Sequence, residues 1–344
     1  HYPVPDNNEP IYVIDKDKEQ GQAIIQLMFK HQPLVPDEYK NTVAFLSVQY
    51  IKSLASNVFN ARLNEAAQKG DCPFVAAYAD DDSYILSKTM DAFNLVIIPK
   101  PGKDKEAIEA VMTEVKRVHE FGFTATEVMR ASEEILSGLE ATYNNRDKQK
   151  NAFYVPQYVR NFLENDPIPS IEDEYNMYKM MSQQMMQAQA AAPAASSFFN
   201  ELTARTDTNF VCMAMYPEKE GVVVPTADQF KQAIANAAKA KVEAYVDNVK
   251  NEPLITNLPK KGRIKKETKA DFGYTCWTLD NGARVFFKKT DYNDAEVQFI
   301  ATSMGGENKI VTKDRVNAKL MPTVLNSTGL GNFTSTELQK KLAG

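Results

Sequence analysis

Trp277-Thr278-Leu279-Asp280-Asn281-Gly282-Ala283-Arg284-Val285 reads as a β-hairpin. β-Rich runs on both sides enclose an Asn-Gly pair, which is favoured where a type I′ turn needs positive φ at both central residues. The strands are expected over Tyr274–Leu279 and Ala283–Phe287, with a third over Glu296–Ala301. Only two helical runs follow, and three strands with two helices in about 75 residues leave one sheet face incompletely covered. The stretch is therefore expected to open a domain that the chain does not finish. With His1 rather than Met at the start, the chain is expected to be a piece of a longer protein.

Upstream of the hairpin, Asn251–Lys269 carries Pro253 and Pro259 and the basic residues Lys260, Lys261, Arg263, Lys265 and Lys266. Between two folded units this composition reads as an interdomain linker, with an anion site as the other reading. Thr226–Asp247, rich in Ala and Lys, is expected to be a surface helix, and Asn209–Tyr216 a closing strand. The Met-, Gln- and Ala-rich stretch Met177–Ala195 reads as core filler, a Met-lined groove being the alternative. Thr124-Ala125-Thr126-Glu127 is a capping box, since the hydroxyl and the carboxylate reciprocally satisfy unpaired amides. Helix is expected from there to about Gln189, with breaks near Pro156 and at Asp166-Pro167-Ile168-Pro169.

Further upstream, Lys103–Glu120 is an amphipathic helix stopped by Gly122, and Phe74–Leu86 and Phe93–Ile98 are β runs. The Asp80-Asp81-Asp82 cluster inside the first is expected to be a solvated bulge or turn. Asp37–Lys69 is helical, with Pro36 in the first turn, Asp37 and Glu38 at the positive end of the dipole, and Gly70 as the stop. Ala23–Phe29 is expected to be a central strand, and His1–Pro10, with three prolines, a linker tail. This order implies an α+β protein: a two-layer sandwich whose mostly antiparallel sheet is covered by helices on one face.

At 344 residues the length prior is two domains or slightly more. A net charge of −5 gives no basic footprint for nucleic acid, and no apolar run approaches the roughly 18 residues of a membrane span. Cys72, Cys212 and Cys276 sit at no metal-ligand spacing and read as buried free thiols. His1, His31 and His119 belong to neither HExxH nor HxxEH. His119 is expected to cap the carbonyls at a helix end. Gly329-Leu330-Gly331 lacks the lysine of a phosphate loop and leads into the capping box Thr334-Ser335-Thr336-Glu337. No residue of the chain is read as catalytic, cofactor-binding or metal-ligating.

Several of these segments, in their order and spacing, resemble the pitrilysin/insulinase-type zinc metallopeptidases. A long helix ending Phe59-Asn60-Ala61-Arg62-Leu63-Asn64-Glu65-Ala66-Ala67-Gln68-Lys69 before the strand at Pro73-Phe74 is similar to that of the family's second domain. Gly122-Phe123-Thr124 with Glu127 is similar to its Gly-Phe/Leu-Thr-x-x-Glu helix start, and Met215-Tyr216-Pro217-Glu218-Lys219 to the end of its last strand. The hairpin resembles the Leu-x-Asn-Gly-x-x-Val opening with which each half of such a protein begins.

The resemblance implies four similar α+β domains, arranged as two halves that close like a clam shell around an unfolded peptide. On that map residues 1–220 are the second, non-catalytic domain, 221–270 a helix and interhalf linker, and 271–344 the truncated start of a third domain, an incomplete second copy of the fold. Zinc would be held upstream of His1 by HxxEH and a later Glu, and the helix Asp314–Ser327 contains neither His nor Glu. The implied role is a non-catalytic scaffold and chamber wall in a zinc metalloendopeptidase, itself inactive. The alternative is a part of an inactive family member serving as a structural or partner-binding subunit. Implied partners are a peptide substrate and the catalytic half of the parent, with self-association through the truncated domain. The implied location is the periplasm or cell envelope.

Overall fold

The computed structural model describes residues 2–293 and 296–343 and falls into two compact units. The first comprises residues 1–140, 151–248 and the last two residues of the chain, and the second residues 141–150 and 249–342.

The first unit is built on a five-stranded sheet of β1 (Ile11–Asp17), β2 (Ile24–His31), β3 (Phe74–Ser83), β4 (Asp91–Pro99) and β5 (Phe210–Pro217), in the order β1-β5-β2-β4-β3. Only the β1–β5 pairing is parallel. β2 lies at the centre, as its apolar run requires. Along each strand alternate side chains point to opposite faces. Ile25, Leu27, Phe29, Phe93, Leu95, Ile97, Phe210 and Cys212 share one face and the main core. Met28, Ala92 and Val211 form a separate small cluster on the other.

The main core is covered by α1 (Val43–Ala67), α2 (Asp104–Phe121), α3 (Ala125–Asn144), α5 (Ile171–Gln187), α6 (Ala191–Leu202) and α7 (Ala227–Lys239). The fold is thus the expected two-layer α+β sandwich. Met181 is buried in this core and Met177, Met185 and Met186 pack against it, so the Met-rich stretch fills space between helices. Cys72 and Cys212 are buried, Cys276 is half-buried, and all three are free thiols; burial pushes Cys212 up to about 12.

Several expectations are corrected. Residues 2–10 are not a loose tail: the Asn7 amide donates to Asn209 Oδ1 (2.9 Å), and Lys30 Nζ donates to the Pro5 carbonyl (2.8 Å). Asp80–Asp82 lie within β3 rather than in a turn. Pro156 does not interrupt α4 (Asn151–Glu164): it sits in the second turn, where it removes a single i→i−4 bond, and the helix continues through it. α7 ends at Lys239 rather than Asp247, and Phe230, Ala233 and Ile234 bury it in the first unit.

The second unit has a three-stranded sheet of β6 (Ile264–Lys269), β7 (Thr275–Leu279) and β8 (Arg284–Phe287), followed by α8 (Arg315–Ser327) and α9 (Ser335–Leu342). The hairpin pairs as expected, with Trp277 opposite Val285 and stacked on Phe287 at 5.4 Å. Its turn is not type I′. Gly282 has φ +86° while Asn281 keeps a negative φ, and the Gly282 amide donates to the Leu279 carbonyl. That is a three-residue loop closed by a glycine in the left-handed region.

The third strand is also not the expected one. Residues 296–301 carry no strand pairing, whereas β6, in the stretch read as linker, pairs with β7. Lys265, Lys266 and Lys269 stay solvated on β6 while its backbone completes the ladder, so side-chain charge hid the strand. The capping box before α9 forms: the Thr334 amide donates to Glu337 Oε2 (2.8 Å) and the Glu337 amide to Thr334 Oγ1 (3.2 Å).

Candidate functional site

The densest polar centre of the first unit forms where α1, the end of α2 and the start of α3 meet. Arg62, on the buried face of α1, is 3% exposed. Its Nε donates to Glu127 Oε1 (2.7 Å), its NH2 to Glu127 Oε2 (2.8 Å) and the Gly122 carbonyl (3.1 Å), and its NH1 to Glu114 Oε1 (3.1 Å). The guanidinium also lies 5.3 Å from the Phe123 ring and 4.4 Å from that of Tyr245. Burial works against the charge, but the bonds and charges of Glu127 and Glu114 outweigh it and hold the pKa above its ordinary value.

The two sequence signals at this centre are one structural device. Glu127 Oε2 accepts from the Thr124 amide (2.9 Å) and hydroxyl (2.8 Å), so the capping box fixes the carboxylate that receives Arg62. Gly122 turns the chain at φ +70°, and a Cβ there would stand 2.9 Å from Ser196 Oγ, which accepts from the Phe123 amide. Four of the five guanidinium N–H donors are therefore engaged by the protein itself, and the fork is fixed between helices. This arrangement orients helices, and Arg62 within it is 3% exposed.

A second cluster was missed in the sequence. His31 at the end of β2 donates from Nε2 to Asp81 Oδ1 (2.7 Å), and its Nδ1 faces the Gln32 carbonyl at 2.7 Å. Both ring nitrogens face acceptors, an arrangement that favours the doubly protonated imidazolium. Lys52 Nζ, from α1, lies 2.8 Å from Asp81 Oδ2. Burial alone would lower the His31 pKa, but Asp81 outweighs it and the net shift is upward. Burial alone would raise Asp81, and His31 and Lys52 outweigh that to hold it below the usual carboxylate range. The available signal was period two: Ala77, Ala79 and Asp81 share the core face of β3.

The sign of the linkage is definite. His31, raised in the folded state, contributes fully below its unfolded value of about 6.5 and loses that contribution as pH rises through the folded value. Asp81, depressed, contributes above about 3.9 and loses it as pH falls through its folded value. His31→Gln should therefore lower the melting temperature most between about pH 4 and 6.5, and progressively less as pH rises through the folded His31 value. A melting-temperature difference that stays constant as pH is raised from about 5.5 through the alkaline range would refute a charged His31 in the fold.

His119 does not cap helix carbonyls: its Nε2 lies 2.7 Å from Thr203 Oγ1, and burial lowers its pKa. His1 lies outside the described residues. Among the described residues no group of three or more His, Cys, Asp or Glu is placed to hold a metal ion, so the side chains present here do not fit a zinc site.

No family model matches the chain. A zinc protease PQQL-like protein of Arabidopsis thaliana is 22% identical over 348 residues, covering 99% of this chain and 32% of its own length. The probable zinc protease PqqL of Escherichia coli (strain K12) is 23% identical over 342 residues, covering 98% of this chain and 35% of its own length. The crystal structure of that periplasmic protease superposes with a TM-score of 0.60 over 99% of this chain and 36% of that one, at 19% identity. A predicted insulinase family protease from Yersinia pestis gives 0.54 at 13% identity, covering 69% of this chain and 47% of that one.

The chain is similar in sequence to these zinc proteases and shares the fold of the PqqL and insulinase family protease structures. It spans about a third of the length of the curated relatives it matches. Within this shared fold, the Arg62–Glu127 pair joins the two stretches that carried the resemblance in sequence. No helix among the described residues is long and apolar enough to cross a membrane.

Proposed function

We propose that this chain is the non-catalytic middle of a zinc metalloendopeptidase that degrades peptides or unfolded chains in a clam-shell chamber, where it serves as scaffold and chamber wall. The observation that carries the reading is the match over nearly the whole chain to about a third of two zinc proteases. In this reading residues 1–220 are the second domain, 221–270 the interhalf connection starting with α7, and 271–344 an incomplete copy of the same fold. The zinc ligands lie upstream, and α8, without His or Glu, stands in the non-catalytic half. The periplasmic site described for PqqL supports an envelope location for the parent.

The test is to express the parent protein and measure hydrolysis of a fluorogenic unfolded casein, with and without Glu→Gln in an upstream HxxEH. Chelator-sensitive hydrolysis abolished by the substitution is the expected result. A parent whose corresponding helix lacks the ligands and that hydrolyses nothing would replace this reading with that of an inactive scaffold subunit.

Self-association belongs to the same proposal. The second unit exposes Val297, Phe299, Ile300 and Met304, each more than 80% accessible, and Leu320, Val324 and Leu325 along α8. Apolar patches of this extent promote association. Light scattering over a hundredfold concentration range should show a rising mass that Phe299→Ser with Ile300→Ser suppresses; a constant monomer mass would refute it.

A further inference from the structure

Between α7 and residue 249 the chain runs extended, without helix or strand, yet it is fastened to all three helices around Arg62. Val242 is buried. Arg117 of α2 donates to the Glu243 carbonyl. The Tyr245 ring covers the Arg62 guanidinium at 4.4 Å, and its hydroxyl donates to Glu65 Oε2 on α1 (2.6 Å). Asp247 accepts both terminal nitrogens of Arg130 on α3, at 2.8 Å each, and the Thr126 hydroxyl. The Asp247 side chain is 5% exposed and that of Arg130 15%. Val242, Tyr245 and Asp247 thus form a row of inward anchors, while Val246, 68% exposed, points away.

We propose that Lys241–Asn248 is a releasable strap, seated on the Arg62 centre by Tyr245 and locked by the Arg130–Asp247 fork, whose opening frees the chain that leads out of the first unit. The anchoring pattern favours release over simple burial. Only one apolar side chain of the strap is buried, and it has no ladder of backbone bonds, so its local opening takes less free energy than unfolding the helices beneath. The anchors lie on Arg62, Glu65, Arg117, Thr126 and Arg130 of the helix layer, and Arg62 and Arg117 are held there by Glu127 and Glu114 independently of the strap. Released, eight residues add roughly 25–30 Å of reach, at the 3.3–3.6 Å per residue of extended chain. The functional meaning rests on the reading of 221–270 as the connection between two halves: a seated strap shortens that connection, and an open one gives it slack.

Limited trypsin digestion of the full chain tests the strap without reference to zinc or to a parent protein. The Lys241–Val242 bond should resist cleavage in wild type. In Tyr245→Phe with Asp247→Asn it should be cut at least tenfold faster, while hydrogen exchange of the β2 and β5 amides stays unchanged. An unchanged cleavage rate at Lys241 overturns the proposal. So does acceleration matched at Lys116 and Arg117 inside α2, because that reports general unfolding rather than strap release. Should the double variant not fold, Asp247→Asn alone is read in the same way, with a threefold or smaller acceleration counting against the lock. Loss of peptidase activity in the parent would leave these rates untouched, so the failure of that reading and the failure of the strap are separable.

Discussion

Arg62→Ala is expected to destabilise the first unit by about 3–5 kcal/mol, the range for breaking a buried ion pair by removing one partner. The substitution leaves Glu127, with a side chain 5% exposed, facing an emptied space between helices. Thr124 still donates to one of its oxygens, which limits the loss but cannot replace a bidentate fork. Arg62→Lys should recover only part of it, since an ammonium meets one carboxylate oxygen where the guanidinium meets both. Arg62→Met combined with Glu127→Gln should cost clearly less than the sum of the single changes, because neither charge is then left alone. The measurement is urea unfolding followed by far-UV circular dichroism, to which the helices of the first unit contribute most. The single tryptophan, Trp277, lies in the second unit, so its fluorescence is a built-in control whose transition should not move. A loss below about 1 kcal/mol for Arg62→Ala would place this pair with ordinary surface ion pairs and refute its role in fixing the helices.

Much of this centre was legible in sequence as spacing and little of it as contact. The capping box at Thr124–Glu127 was readable because it is local: three residues satisfy each other's amides. Arg62 carried a family resemblance, but its contact with Glu127 spans 65 positions and depends on how α1 lies across the α2–α3 turn. Asp81 was misplaced because the run of three acids looked solvated, whereas strand alternation sends its neighbours outward and Asp81 inward to His31 and Lys52. β6 was misplaced for the converse reason: exposed lysines mimicked linker composition on a strand whose partners are backbone groups. At residues 281–282 the dipeptide rule found the hairpin and mistook the loop length, since Asp280 joins the turn and only Gly282 needs positive φ. The capping boxes were read correctly, and most errors arose where distant elements decide the environment.

Phe199→Ala tests the apolar counterpart of that centre. Phe199, on α6, is fully buried and touches rings from four directions: Phe59 of α1 at 4.6 Å, Phe93 of β4 at 5.4 Å, Phe123 after α2 at 5.5 Å and His119 at 6.5 Å. Three of these contacts are edge-to-face, the geometry in which aromatic pairs add about 0.5–1.5 kcal/mol beyond their area. Removing the ring leaves a cavity walled by sheet and helices that cannot all move inward together, so a loss of about 3–5 kcal/mol is expected. Phe199→Leu should cost less, as it refills most of the volume while losing the ring contacts. The variant also bears on the polar centre, because Phe123 links the two: its ring touches Phe199 and stands under the Arg62 guanidinium. Double-mutant cycles should therefore find Phe199→Leu and Arg62→Met coupled by more than about 0.5 kcal/mol, beyond the additivity of independent sites. Strict additivity would mean that the ring cluster and the ion pair brace the helix layer separately. In that case Phe123 would not transmit strain between them, and the α6 packing would owe nothing to the fork that seats α1.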